Sequence, residues 1–145
     1  MTEFRLARVY DHVHPEHGPG FAEGHPRIAD PAVRAGLLRY LGAGRPVLSI
    51  TARMADPLDR DTGEAVPLGF LTDGHWIWTE AVGYFLDRHG LQPDPDLLAH
   101  IQRGGFVPPQ PDDETVLRAS AFVLAPPAGD WAGDAAGPAW TSERT

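Results

Sequence analysis

The decapeptide LTDGHWIWTE, residues 71–80, decides how the chain is read, because it joins a turn signal, a strand signal and a helix start without a spacer. Thr72-Asp73-Gly74-His75 has the form of a two-residue hairpin whose central Asp-Gly supplies the positive φ angles of a type I′ turn. Two antiparallel strands should meet there, with Leu71 opposite Trp76, Phe70 opposite Ile77 and Gly69 opposite Trp78. In that register the Trp78 indole covers the side-chain gap at Gly69. Leu71, Trp76 and Trp78 then share one face of the ribbon, and Leu68, Phe70 and Ile77 share the other, so both faces are apolar. Thr79 is the expected N-cap of a helix in which Val82, Phe85, Leu86 and His89 share a face and Gly90 is the stop.

The flanks supply helices and a further strand. Asp30-Pro31 opens a helix at about 31–41, with Val33, Leu37, Leu38 and Leu41 on one face and Gly42 as its end. PVLSITAR, residues 46–53, is β-branched enough for a strand, and DPLDRDTGE, residues 56–64, reads as a solvated loop before the apolar VPLGFL. Asp94-Pro95 opens another helix, with Leu97, Leu98 and Ile101 inward and Gly104-Gly105 as its stop. A last helix follows Pro111, capped by Asp112, with Val116, Leu117, Ala121 and Leu124 as its apolar positions. A first strand is expected within residues 3–10, and residues 11–27, rich in Gly and Pro, read as a long loop or arm. Residues 125–145 lack periodicity and are expected to form a flexible tail, in which Trp131 and Trp140 are the two groups large enough to pin it to a groove.

Composition bounds the function. A chain of 145 residues fits one domain, and its 16 Gly and 15 Pro imply many turns. The absence of Cys rules out a disulfide framework, a thiolate metal site and a cysteine nucleophile. A net charge of −8 opposes a phosphate backbone, and Arg27, Arg34, Arg39, Arg45, Arg53 and Arg60 are scattered, so nucleic acid is not an expected partner. The start MTEFRLARVYDHVH has no signal-peptide pattern, and no apolar run approaches the roughly 18–20 residues of a membrane span, so a cytoplasmic protein is expected. The acidic balance would speed encounter with a basic protein.

The residues that carry chemistry are few. His12, His14 and His17, with His25, Asp11 and Glu16 nearby, could supply the three protein ligands of a catalytic zinc or nickel ion. Against this, the segment offers no rigid element to orient the rings. Asp56, Asp59, Asp61 and Glu64 include DRDTGE, which lacks the spacing and terminal Glu of a calcium loop. Ser49, Ser120 and Ser142 have no nucleophile-elbow context, and Gly42-Ala43-Gly44-Arg45 follows a helix instead of opening one, which excludes a phosphate cradle. His75, His89 and His100 read as structural, His89 being favoured at a helix C-terminus.

The segment LTDGHWIWTEAVGYFLDRHGLQPDPDLLAHI resembles a group of small bacterial proteins with a strand, a TDG-x-W/Y-x-W-Pro turn, a helix with an HG-like stop and an acidic-Pro segment. Thr72, Asp73, Gly74, Trp76, Trp78, Tyr84, His89 and Pro95 carry the resemblance, which covers roughly residues 37–106 and includes LLRYLGAGRPVL as the preceding helix and strand. Thr79 stands where that group has Pro, and the Cys pair of some members is missing, so no metal role carries over. The group is similar to proteins encoded beside polymorphic toxins, which implies an immunity or accessory binding role and no catalytic residues.

The sequence therefore predicts one α+β domain over residues 1–124, with a small antiparallel sheet around 46–78, three to four helices packed on it, and a flexible tail over 125–145. The expected function is protein binding, as an immunity protein that occludes a basic toxin domain, with Asp59, Asp61, Trp76 and Trp78 as contact residues and no cofactor. The alternatives are a small metalloenzyme using His12, His14 and His17, or an accessory protein of a biosynthetic or defence cluster that takes a peptide along its sheet edge.

Overall fold

A computed structural model describes residues 4–124. Residues 125–145, with Trp131 and Trp140, lie outside the described residues. Aspartates start three helices as expected: α1 (Pro31–Gly42) has Asp30 accepting from the Ala32 amide, α3 (Pro95–Arg103) has Asp94 accepting from the Asp96 amide, and Asp112 accepts from the Thr115 amide at the start of α4 (Asp113–Leu124). Helix α2 (Glu80–His89) ends on Gly90 at φ 72°, the left-handed stop. Thr79 precedes it, yet its hydroxyl makes no cap bond and is buried without a partner.

The central sheet has four strands in the order β1 (Arg5–Leu6), β8 (Trp76–Thr79), β7 (Phe70–Thr72), β4 (Arg45–Leu48). The antiparallel core of this sheet is as predicted, but β1 pairs parallel with β8, which makes the sheet mixed. The expected strand 46–53 is divided: β4 stops at Leu48, and β5 (Arg53–Met54) leaves to pair with β6 (Val66–Pro67). Residues 11–27, expected to be irregular, contain a small hairpin of β2 (His12–His14) and β3 (Gly18–Gly20). That arm is tied down by Asp11, which accepts from the Ala22 amide at 2.7 Å and from His25 Nδ1 at 2.8 Å.

The β7–β8 register differs from the predicted one by two residues: Leu71 faces Trp78 and Thr72 faces Ile77. A type I′ turn needs positive φ at Asp73 and Gly74, but among these only Gly74 has it, at 98°. Asp73 instead uses its side chain, accepting from the amides of His75 at 2.9 Å and Trp76 at 2.8 Å, and this widens the turn. A shift of two keeps every side chain on its predicted face. It does move the partner of Trp78, whose ring fills the space at Gly44, where a Cβ would lie 2.6 Å from Cζ2. The gap at Gly69 is taken by Glu80, whose Oε1 accepts from the Gly69 amide at 3.0 Å.

Both sheet faces are covered by helices, giving three layers. On one side Trp76, Trp78 and Leu71 pack with Leu37, Leu41, Val82, Leu86, Leu97 and Ile101 of α1, α2 and α3. On the other, Ile77 and Phe70 pack with Phe4 and with Ala119, Val123 and Phe122 of α4. That second cover is α4. The helix is also rotated from its predicted facing, with Ala119 and Val123 inward and Leu117 and Leu124 at 70 % and 67 % exposure. No helix among the described residues is long and apolar enough to cross a membrane.

Candidate functional site

Two buried carboxylates hold the helices in place. Asp73, 1 % exposed, accepts from the Tyr40 hydroxyl at 2.5 Å and His100 Nε2 at 2.9 Å, besides the two turn amides. Burial would push this carboxyl up, but the Trp76 amide, Tyr40, the His75 amide and His100 outweigh it and hold it below the usual carboxylate value. The Tyr40 hydroxyl is pushed up by burial and by its carboxylate partner. Asp56, fully buried, repeats the arrangement: it accepts from Tyr84 Oη at 2.8 Å, His89 Nε2 at 2.7 Å and the Leu58 amide at 2.8 Å. Burial again works upward, and the bonds from His89, Leu58 and Tyr84 bring its carboxyl below the usual range. Each cluster has its carboxylate oxygens engaged from within the fold.

Between α1 and α2 the surface opens into a groove of about 490 Å³. Leu71, the buried Trp78 and Pro67 contribute to its lining. One wall is Leu38, Leu41 and Gly42; the other is Glu80, Gly83, Tyr84 and Asp87, which helical spacing places on one face of α2. This lining has two carboxylates and no cation. A Cβ added at Gly83 or at Gly42 would meet nothing within 4 Å. Gly in a helix interior costs about 1 kcal/mol against Ala, so α2 carries that cost at Gly83 without any internal crowding to require it.

The residues singled out by sequence fall in different places. Trp76 and Trp78 are 4 % and 0 % exposed, so they belong to the core, and the contact expected through their rings has almost no surface to act through. Trp76 has the Arg5 guanidinium 4.5 Å above its ring, and Trp78 donates from Nε1 to the Leu41 carbonyl at 3.1 Å. Asp59 pairs with Arg88 at 2.9 Å, and Asp61 is exposed in a short 3-10 turn (Arg60–Thr62); neither joins the tryptophans. His12, His14 and His17 lie exposed on or beside the arm hairpin. The rings of His14 and His17 stack at 4.5 Å, but His14 Nδ1 is occupied by the amides of Glu16 and His17. Among the described residues no group of three His, Asp or Glu side chains is arranged to hold a metal ion.

Sequence reasoning did not find the groove. Its one local signal was Gly83 inside an otherwise regular helical pattern. No family model, no curated protein and no solved structure matches the chain.

Proposed function

We propose that the chain is a protein-binding module that takes a basic partner, in the manner of an immunity protein occluding a toxin domain. The observation that carries this reading is the groove between α1 and α2, an open concavity whose lining is mainly apolar and includes two carboxylates and no cation. The net charge of −8 supports it, since the summed field would draw a basic surface toward the molecule. The immunity role rests on the resemblance of residues 37–106 to small proteins of toxin-associated systems.

Affinity capture with the full chain, at low salt and again at high salt, tests the reading. A single protein with a basic surface should be retained above background at low salt and weakened as ionic strength rises. Retention of nothing specific, or of an acidic protein whose binding is indifferent to salt, would refute it. Where the captured protein is toxic to cells, co-expression of the present chain should restore growth.

A further inference from the structure

Resting on that reading, we infer that the α1–α2 groove takes a short segment of the partner in which an apolar anchor residue is flanked by Lys or Arg. The apolar lining receives the anchor: Leu71 and Leu38 present aliphatic surface to the groove, against which a ring or branched side chain loses water. The rim receives the cations. Asp87 is exposed with no ion-pair partner among the described residues, and Glu80, whose Oε1 accepts from the Gly69 amide, lines the same groove. With two acids and no base in the lining, an anionic segment is repelled where a cationic one is drawn in.

Gly83 and Gly42 set how close the segment comes. Both leave open space above the helix backbone on opposite walls, so the partner main chain can approach α2 and α1 more nearly than any side chain there would permit. The wall on α2 runs only from Glu80 to Asp87, about 10 Å at a rise of about 1.5 Å per residue. That length suits one anchor with its two neighbours, and is too short for a docked helix of several turns.

The test uses the full chain labelled with ¹⁵N and two pentapeptide probes, acetyl-Gly-Lys-Trp-Lys-Gly-amide and its counterpart with Glu in place of both Lys. The Lys probe should shift the amide signals of Gly42, Leu71, Gly83 and Asp87 at millimolar concentration, and the Glu probe should not. Asp87→Asn should weaken the Lys probe by roughly 1.5-fold to fivefold, the scale of one exposed charge at low salt. Gly83→Leu should abolish the shifts while the remaining spectrum stays that of the folded protein, and Gly42→Phe provides the same block from the other wall if the first variant misfolds. Equal shifts from both probes, shifts confined to the α4 face at Leu117 and Leu124, no shift at all, or tryptamine binding as tightly as the peptide would each overturn the proposal. The two readings fail separately: a partner captured equally by wild type and by folded Gly83→Leu leaves protein binding intact and removes the groove as its place.

Discussion

Replacing Asp73 by Ala withdraws one acceptor from four donors at once, and the structure allows the cost to be worked out. Two of the donors are the amides of His75 and Trp76, one is the hydroxyl of Tyr40, and the fourth is His100 Nε2, which must carry the proton because an ionised carboxylate only accepts. Tyr40 is 2 % exposed and Trp76 4 %, so their groups cannot turn to bulk water; the His100 side chain, at 21 %, can. Bonds to a charged acceptor contribute about 1.5–3 kcal/mol each, and partial rehydration of the space left by the carboxylate brings the expected net loss to about 3–5 kcal/mol. For a chain of this size that is a fall in Tm of roughly 10–15 °C. Asp73→Asn keeps the oxygen that serves the two amides and should lose only about 1–2 kcal/mol. The pH dependence has a definite sign. Because the folded carboxyl titrates below its unfolded value, its contribution is complete above about pH 4 and is lost as pH falls through the folded value. The stability difference between wild type and Asp73→Asn, measured by urea denaturation followed by circular dichroism from pH 7 to pH 3, should therefore shrink on acidification. A loss below about 1 kcal/mol for Asp73→Ala, or a difference that widens toward pH 3, would refute the reasoning.

Thr79→Val should stabilise the fold by about 1 kcal/mol in thermal denaturation, since the Thr79 hydroxyl is buried without a partner and a methyl in its place removes an uncompensated polar group. Asp56→Ala should free the segment around residues 55–64 from α2, read as faster hydrogen exchange at Leu58 and at the end of α2, whereas Arg88→Ala breaks only the exposed pair with Asp59 and should cost under about 1 kcal/mol. Val123→Ala should cost about 1–3 kcal/mol and Leu117→Ala under about 0.5 kcal/mol, the reverse of what the predicted facing of α4 would give.

The parts legible in the sequence were those written in local chemistry. Asp30, Asp94 and Asp112 marked helix starts because a carboxylate beside free first-turn amides acts within three residues, and Gly90 marked an end for an equally local reason. The face assignment of the β7–β8 ribbon survived a register error because the error was of two residues, which parity cannot detect. What failed was chemistry that depends on distant partners. The Asp-Gly pair implied a tight turn, but burial of Asp73 between Tyr40 and His100, 33 and 27 positions away, selected a wider turn capped by its own side chain. Helix α4 was assigned its inner face from the larger side chains, yet the sheet surface at Phe4 and Ile77 accepts the small Ala119 and Val123, and leaves Leu117 outside. The tryptophans were taken as contact residues because the ribbon has two apolar faces; within the fold their face is covered by α1, α2 and α3, and the opposite face by α4.

The two aspartate clusters and the groove are connected through the helices that bound it. Helix α1 is tied to the hairpin turn through Tyr40 and Asp73, and α2 is tied to the segment before β6 through Tyr84, His89 and Asp56. Hydrophobic packing alone resists sliding and rotation of a helix on a sheet weakly, whereas a buried hydroxyl that must reach one carboxylate has a single satisfactory position. Each wall of the groove is thereby fixed by a polar anchor, and Tyr84 belongs to both the anchor and the wall. A groove held open in this way loses little conformational freedom when it is filled, so more of the interaction energy is left for affinity. The aspartates that looked in the sequence like loop residues thus shape the candidate binding surface without touching what binds there.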